Sequence, residues 1–208
     1  MYYSRYAAKA DDPAHGDDHA QPAVYFHKLG ESQRDDRLIY TVRGSRTRTP
    51  SADVSEDGRW LFVTLFDGYE TNGIDVLDLR DPGATPRTVF GAWDANYSIR
   101  GSDGDTLLVQ TTNAAPRGRL IAVDVRNPAP SAWRELVPQR DYTLEDSHFV
   151  GGRLLLRYVR DAHGIAQVYD RDGRWLADVP VPGPGTLTGF DGSGRDRETF
   201  FSFTDYVT

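Results

Sequence analysis

Residues 51–82 read SADVSEDGRWLFVTLFDGYETNGIDVLDLRDP, and the fold is decided there. Glu56-Asp57-Gly58 separates a short extended run, 52–55, from an apolar one, 59–65. Asp-Gly between apolar runs is a hairpin signal, because glycine takes the positive φ that tight turns require. Along 59–65, Trp60, Phe62 and Thr64 face one way while Leu61, Val63 and Leu65 face the other. Both faces are largely apolar, so this strand is expected to be covered on both sides by neighbouring sheets. A polar loop and a further strand, 74–79, complete the stretch, and Thr88-Val89-Phe90 supplies a fourth strand.

The unit recurs twice after this stretch. Asp103-Gly104 and Gly151-Gly152 repeat the turn, followed by Thr106-Leu107-Leu108-Val109 and Arg153-Leu154-Leu155-Leu156. The third strand of each unit ends at an aspartate, Asp78, Asp124 and Asp170, spaced by 46 residues each time. Four short strands in a period of roughly 40–50 residues are the signature of β-propeller blades. The reading is therefore all-β: a β-propeller fragment with three whole four-stranded blades at about 51–90, 97–137 and 143–179, flanked by incomplete blades at about 1–42 and 186–208. No helix-period stretch of useful length interrupts it.

The first incomplete blade offers strands at 2–6, 24–27 and 38–41 but no inner strand, and its opening residues, 1–6, read as mid-domain strand sequence. The last offers an inner strand at 186–190 and a second at 198–204. An open arc of blades leaves unpaired backbone groups at each end. The two ends are therefore expected to complete one composite blade, within one chain or between two copies, which makes self-association through open blade edges an expected partnership.

Composition narrows the chemistry. The chain has 208 residues and no cysteine, which excludes disulfides, thiolate catalysis and cysteine-held zinc. With 24 basic and 31 acidic residues the formal charge is −7, and no Lys/Arg cluster is long enough to track phosphates, so nucleic acid is not an expected partner. No run approaches the roughly 18 apolar residues of a membrane span, and no membrane partner is expected. Absent cysteines fit a cytoplasmic or a periplasmic protein equally.

Candidate reactive groups are few. His15-Gly16-Asp17-Asp18-His19 gathers metal-binding residue types, but its Gly, Asp and Ala surroundings favour a solvated loop over a metal site. Asp191-Gly192-Ser193-Gly194-Arg195-Asp196 faintly resembles a calcium loop, with Arg195 where an oxygen ligand belongs, and reads as a turn. His27 and His148 fall within apolar strand segments and read as hydrogen-bonded strand residues. Glu145-Asp146 reads as surface charge. No cofactor or metal is expected.

The order YSRY, VYFHKLGE, SADVSEDGRW, LVPQRDYTLED, LLLRYVRDAHG, GPGTLTGFDG and FFSFTDYVT resembles the propeller domain of the prolyl oligopeptidases, proline-specific serine peptidases, along nearly the whole chain. The resemblance implies a two-domain parent in which a seven-bladed propeller covers the active site of an α/β-hydrolase domain and admits short peptides. That catalytic domain and those peptides are the partners it implies. The nucleophilic serine of such a domain sits in a G-x-S-x-G elbow served by His and Asp. No G-x-S-x-G occurs here, and Gly192-Ser193-Gly194 lies in a polar stretch between strands, so no catalytic residue is expected and the chain alone is expected to be inactive. In the family, the loop after the second strand of the blade matching 51–78, and the lead-in to that blade, face the active-site cavity. The matching positions are Phe66, Tyr69 and Arg48, none of which keeps the family's residue type. The two aromatics offer a stacking surface to an apolar peptide side chain or, alternatively, pack on the adjacent blade. The sequence thus carries two functions: the lid segment of a prolyl oligopeptidase-like endopeptidase, or a freestanding propeller fragment that binds or self-assembles.

Overall fold

The computed structural model describes residues 1–6, 22–45 and 47–205, and the His15–His19 cluster lies outside them. Seventeen strands and two single 3₁₀ turns make up the regular structure among these residues. The chain divides into two compact units, Met1–Asp94 and Ala95–Thr208.

The first unit holds two antiparallel sheets. Strands β1 (Tyr2–Tyr6), β2 (Pro22–Phe26) and β3 (Arg37–Thr41) form a three-stranded meander. Strands β4 (Thr49–Val54), β5 (Trp60–Phe66), β6 (Asn72–Asp78) and β7 (Arg87–Phe90) form a four-stranded one in sequence order. The alternation along β5 buries both of its faces: Trp60, Leu61, Phe62, Val63 and Leu65 are all buried. Leu61, Val63 and Leu65 share a core with Val24, Tyr40 and Val42, so the two sheets stack face to face.

The second unit holds two four-stranded sheets and a hairpin. One sheet comprises β8 (Tyr97–Asp103), β9 (Thr106–Thr111), β10 (Arg119–Asp124) and β11 (Arg134–Val137). The next comprises β12 (Thr143–Val150), β13 (Arg153–Arg160), β14 (His163–Asp170) and β15 (Trp175–Asp178), and β16 (Gly185–Gly189) pairs with β17 (Phe201–Asp205). Leu120, Leu136, Leu154, Leu156, Tyr158 and Tyr169 make the core between the two larger sheets. Leu187 and Phe190 pack with Val150, Leu155 and Ala166 beneath the hairpin. Three four-stranded meanders with partial sheets on either side are the all-β architecture read from the repeat, and each sheet draws its strands from one unit.

Strand ends depart from the sequence reading where side chains override pattern. The inner strand β4 begins at Thr49, three residues early, and contains Pro50. Proline is tolerated because β4 is an edge strand of its sheet. β16 stops at Gly189 because Gly189 and Phe190 both take positive φ, 98° and 73°. β17 starts only at Phe201, the preceding residues being drawn back by the Thr199 hydroxyl, which donates to the Asp191 carbonyl.

The repeated aspartates have one physical role. Asp78 Oδ1 accepts the Arg80 N–H at 3.0 Å, Asp124 Oδ1 accepts that of Arg126 at 2.7 Å, and Asp170 Oδ1 accepts those of Asp172 and Arg174 at 2.9 Å each. Each carboxylate thereby closes the turn after a third strand by bonding backbone two or more residues on. The first turn of the quoted stretch is closed similarly: the Ser55 hydroxyl donates to Asp57 at 2.6 Å and accepts the Trp60 N–H at 2.9 Å. The Ser55 bond, then the Arg59 N–H, hold the Asp57 carboxyl below the usual carboxylate range. Ser55→Ala removes an acceptor at a buried strand start and is expected to cost about 1–2 kcal/mol, read as a lower urea midpoint with unchanged slope.

Candidate functional site

Register places all three family-matched positions at one end of a sheet. Phe66 closes β5 and stands opposite Thr49 at the start of β4 and Asn72 at the start of β6. The lead-in to β4 and the loop 67–71 therefore share one end of the sheet. There Arg48 Nε donates to Asp67 Oδ2 at 3.3 Å, and the Thr47 hydroxyl donates to Asp67 Oδ1 at 3.3 Å. The Ser45 hydroxyl accepts the Thr47 and Arg48 N–H groups and fixes the lead-in. Phe66 is partly exposed, and Tyr69 is fully so at 100%.

Asp67 and Trp93 are the residues the sequence reading passed over. The Arg48 guanidinium lies 3.8 Å from the centre of the Trp93 ring, a cation–π contact of about 0.5–2 kcal/mol. Trp93 follows β7 with φ 56°, a conformation that costs a bulky L-residue roughly 1–2 kcal/mol. A Cβ on Gly73 would stand 2.9 Å from the Trp93 Cζ2, so glycine is what lets the ring occupy this position. A tryptophan between Gly91 and Asp94 was a visible loop aromatic, but nothing in the sequence marks its backbone angle.

A second polar cluster joins the inner strands β8 and β12. Arg100 pairs with Asp146 at 2.9 Å, His148 Nε2 lies 3.2 Å from Asp146, and Arg157 pairs with Glu145. The Glu145-Asp146 pair is thus engaged between strands, and the Asp146 side chain is only 26% exposed. Burial opposes ionisation of Asp146, yet the His148 hydrogen bond, the Arg100 charge and the Ser147 N–H bring its carboxyl down to about 2. Ser147 and His148 are consecutive on a strand and project to opposite faces. The Ser147 hydroxyl is buried and donates to Gln110 at 2.9 Å, with no imidazole as its partner.

The Gly192-Ser193-Gly194 stretch lies in the loop between β16 and β17. Ser193 N–H donates to Asp196 Oδ2 at 2.7 Å and its hydroxyl accepts the Arg195 N–H at 3.2 Å, the bonds of a self-closed turn. Asp196 is thereby engaged by backbone within the stretch that resembled a calcium loop. Among the described residues, no group of three or more His, Asp or Glu is placed to hold a metal.

Comparison with known proteins covers the chain end to end. The description "Prolyl oligopeptidase, N-terminal beta-propeller domain" matches residues 1–208. A prolyl endopeptidase of Elizabethkingia miricola is 30% identical over 208 residues, covering 100% of this chain and 29% of the relative. That of Elizabethkingia meningoseptica is 31% identical over 185 residues, covering 89% of this chain and 26% of the relative. The chain therefore spans less than a third of the length of these curated relatives. A solved structure from a study of inter-domain dynamics in two prolyl endopeptidases superposes with a TM-score of 0.86 at 28% identity, over 100% of this chain and 30% of that one. Prolyl oligopeptidase B of Galerina marginata, bound to a 35mer hydrolysis and macrocyclization substrate, shares the fold with a TM-score of 0.83 at 23% identity, over 96% of this chain and 28% of that one.

Proposed function

We propose, from the premise that this chain belongs to the prolyl oligopeptidase family as its N-terminal β-propeller domain, that it is the non-catalytic, substrate-gating segment of a serine endopeptidase acting on short proline-containing peptides. The observation that carries this reading is a family match along all 208 residues of a chain that contains no G-x-S-x-G. The nucleophile, its base and the oxyanion donors belong to an α/β-hydrolase domain elsewhere in the parent protein. The propeller contributes by exclusion: stacked sheets over a catalytic pocket keep folded proteins out and limit water at the reacting bond.

Phe66 and Tyr69 are the residues proposed to meet the peptide. Their rings are exposed at the end of the sheet that carries Arg48, which is already neutralised by Asp67. An aromatic contact is worth roughly 0.5–1.5 kcal/mol. In the parent enzyme, Phe66→Ala and Tyr69→Ala are each expected to raise KM for a short proline peptide about two- to tenfold with kcat nearly unchanged. Unchanged KM in both variants removes the two rings from the site. The broader reading is tested by incubating the 208-residue chain with a proline-containing peptide amide: no release is expected, and turnover abolished by a serine-directed inhibitor would refute a non-catalytic role.

A further inference from the structure

A cavity of about 740 Å³ opens within the first unit, between the outer strand β3 of one sheet and β6 and β7 of the next. Its size falls in the roughly 300–1,000 Å³ range of ligand sites. Ile39, Leu65 and Phe90 give it apolar walls, and Trp93, Arg43 and Arg48 line it as well. Three features separate it from an incidental gap between sheets. Trp93 is held on the wall at a backbone angle unfavourable to its side chain, and such strained positions concentrate at functional sites. Gly73, also on the wall, keeps the space the ring occupies. The lining also carries two guanidiniums, Arg43 and Arg48, against the single carboxylate of Asp75, which accepts the Tyr40 hydroxyl at 2.7 Å. Of these, Arg48 is engaged by Asp67 and Trp93, whereas Arg43 is exposed and forms no ion pair among the described residues.

We propose that this cavity is a binding site for an apolar carboxylate, which nothing in the gating role requires. Its tail lies against Ile39, Leu65, Phe90 and the Trp93 ring, and its carboxylate, ionised at neutral pH, pairs with Arg43. Arg48, already stacked on Trp93 and paired with Asp67, adds rigidity at the same wall. The same chemistry is presented by the C-terminus of a peptide ending in an apolar residue and by a free aryl-alkyl acid.

The test is isothermal titration of the 208-residue chain with three probes: N-acetyl-Leu-Phe as the free acid, the same dipeptide as its amide, and 4-phenylbutyrate. The acid is expected to bind about tenfold or more tightly than the amide, because only the acid makes the charged pair with Arg43. Arg43→Gln is expected to weaken acid binding by a similar factor while leaving the thermal midpoint in place, since its side chain is exposed. Binding of the dipeptide acid alone assigns the site to peptide C-termini, and binding of 4-phenylbutyrate as well extends it to free acids. Equal affinity for acid and amide, indifference to Arg43→Gln, or no heat from either acid at millimolar concentration overturns the proposal.

Discussion

Gly173→Ala is expected to lower the thermal midpoint by at least about 8 °C, a loss of about 4 kcal/mol or more in a chain of this size. Gly173 sits in the turn between β14 and β15 with φ 85°. A Cβ there would stand 2.0 Å from the Leu136 carbonyl oxygen, 2.6 Å from its carbonyl carbon and 3.0 Å from its Cα. All three atoms are backbone, so no rotamer change relieves the overlap. Leu136 is moreover held in place: the register of β10 with β11 skips from Val137 to Glu135, which leaves Leu136 as the extra residue of a bulge, and its side chain is buried in the core between the sheets. The turn must retreat, and the contact between neighbouring sheets goes with it. Gly58→Ala is the control. Gly58 has φ 71°, but a Cβ there would meet no atom within 4 Å, so this variant is expected to lose only the backbone preference, about 1 kcal/mol. Equal losses in the two variants, measured by calorimetry, would mean that backbone angle alone sets the cost.

What the sequence made legible was whatever is encoded within one repeat. Asp57-Gly58 and Asp103-Gly104 marked turns because their glycines must take positive φ, and they do, at 71° and 59°. The strand faces of β5 followed from alternation, and both are buried. The recurring Asp78, Asp124 and Asp170 were visible as a period before their turn-closing bonds gave the period a cause. What stayed hidden is encoded between repeats. Alternation says which way a residue points but not which side chain on the neighbouring sheet it meets, so Glu145-Asp146 read as surface charge. Arg100 and Asp146 are 46 residues apart, one full period, and occupy the same position on successive inner strands. Opposite charges in one phase of adjacent repeats were the available signal. Arg48 and Trp93 are hidden for a different reason: both lie in connecting segments, and Trp93 takes a backbone angle that pattern does not encode.

Asp146→Asn is expected to cost about 2–4 kcal/mol at pH 7, and that cost is expected to vanish in acid. Asparagine matches the size of the carboxylate but not its charge, so Arg100, largely buried, and Arg157 are left facing each other at reduced compensation, with only Glu145 still paired to Arg157. The proton linkage fixes the pH dependence. The folded-state value of Asp146, about 2, lies below the roughly 3.9 of an unfolded aspartate. Its contribution, about 2–3 kcal/mol for such a shift, is therefore complete above about pH 5 and disappears as pH falls through about 2. His148 belongs to the same network, between Asp146 at 3.2 Å and Asp191 at 3.7 Å, and its bond helps to lower the Asp146 carboxyl, so His148→Gln is expected to move the acid limb to higher pH. Urea unfolding of the wild type and Asp146→Asn from pH 7 to pH 2 should show curves separated at neutrality and converging at the acid end. Parallel curves across that range would show that Asp146 stabilises through shape and hydrogen bonding alone. Replacing both partners, Arg100→Met with Asp146→Leu, should recover most of the neutral-pH loss, since what destabilises the single variant is the stranded guanidinium rather than the missing pair.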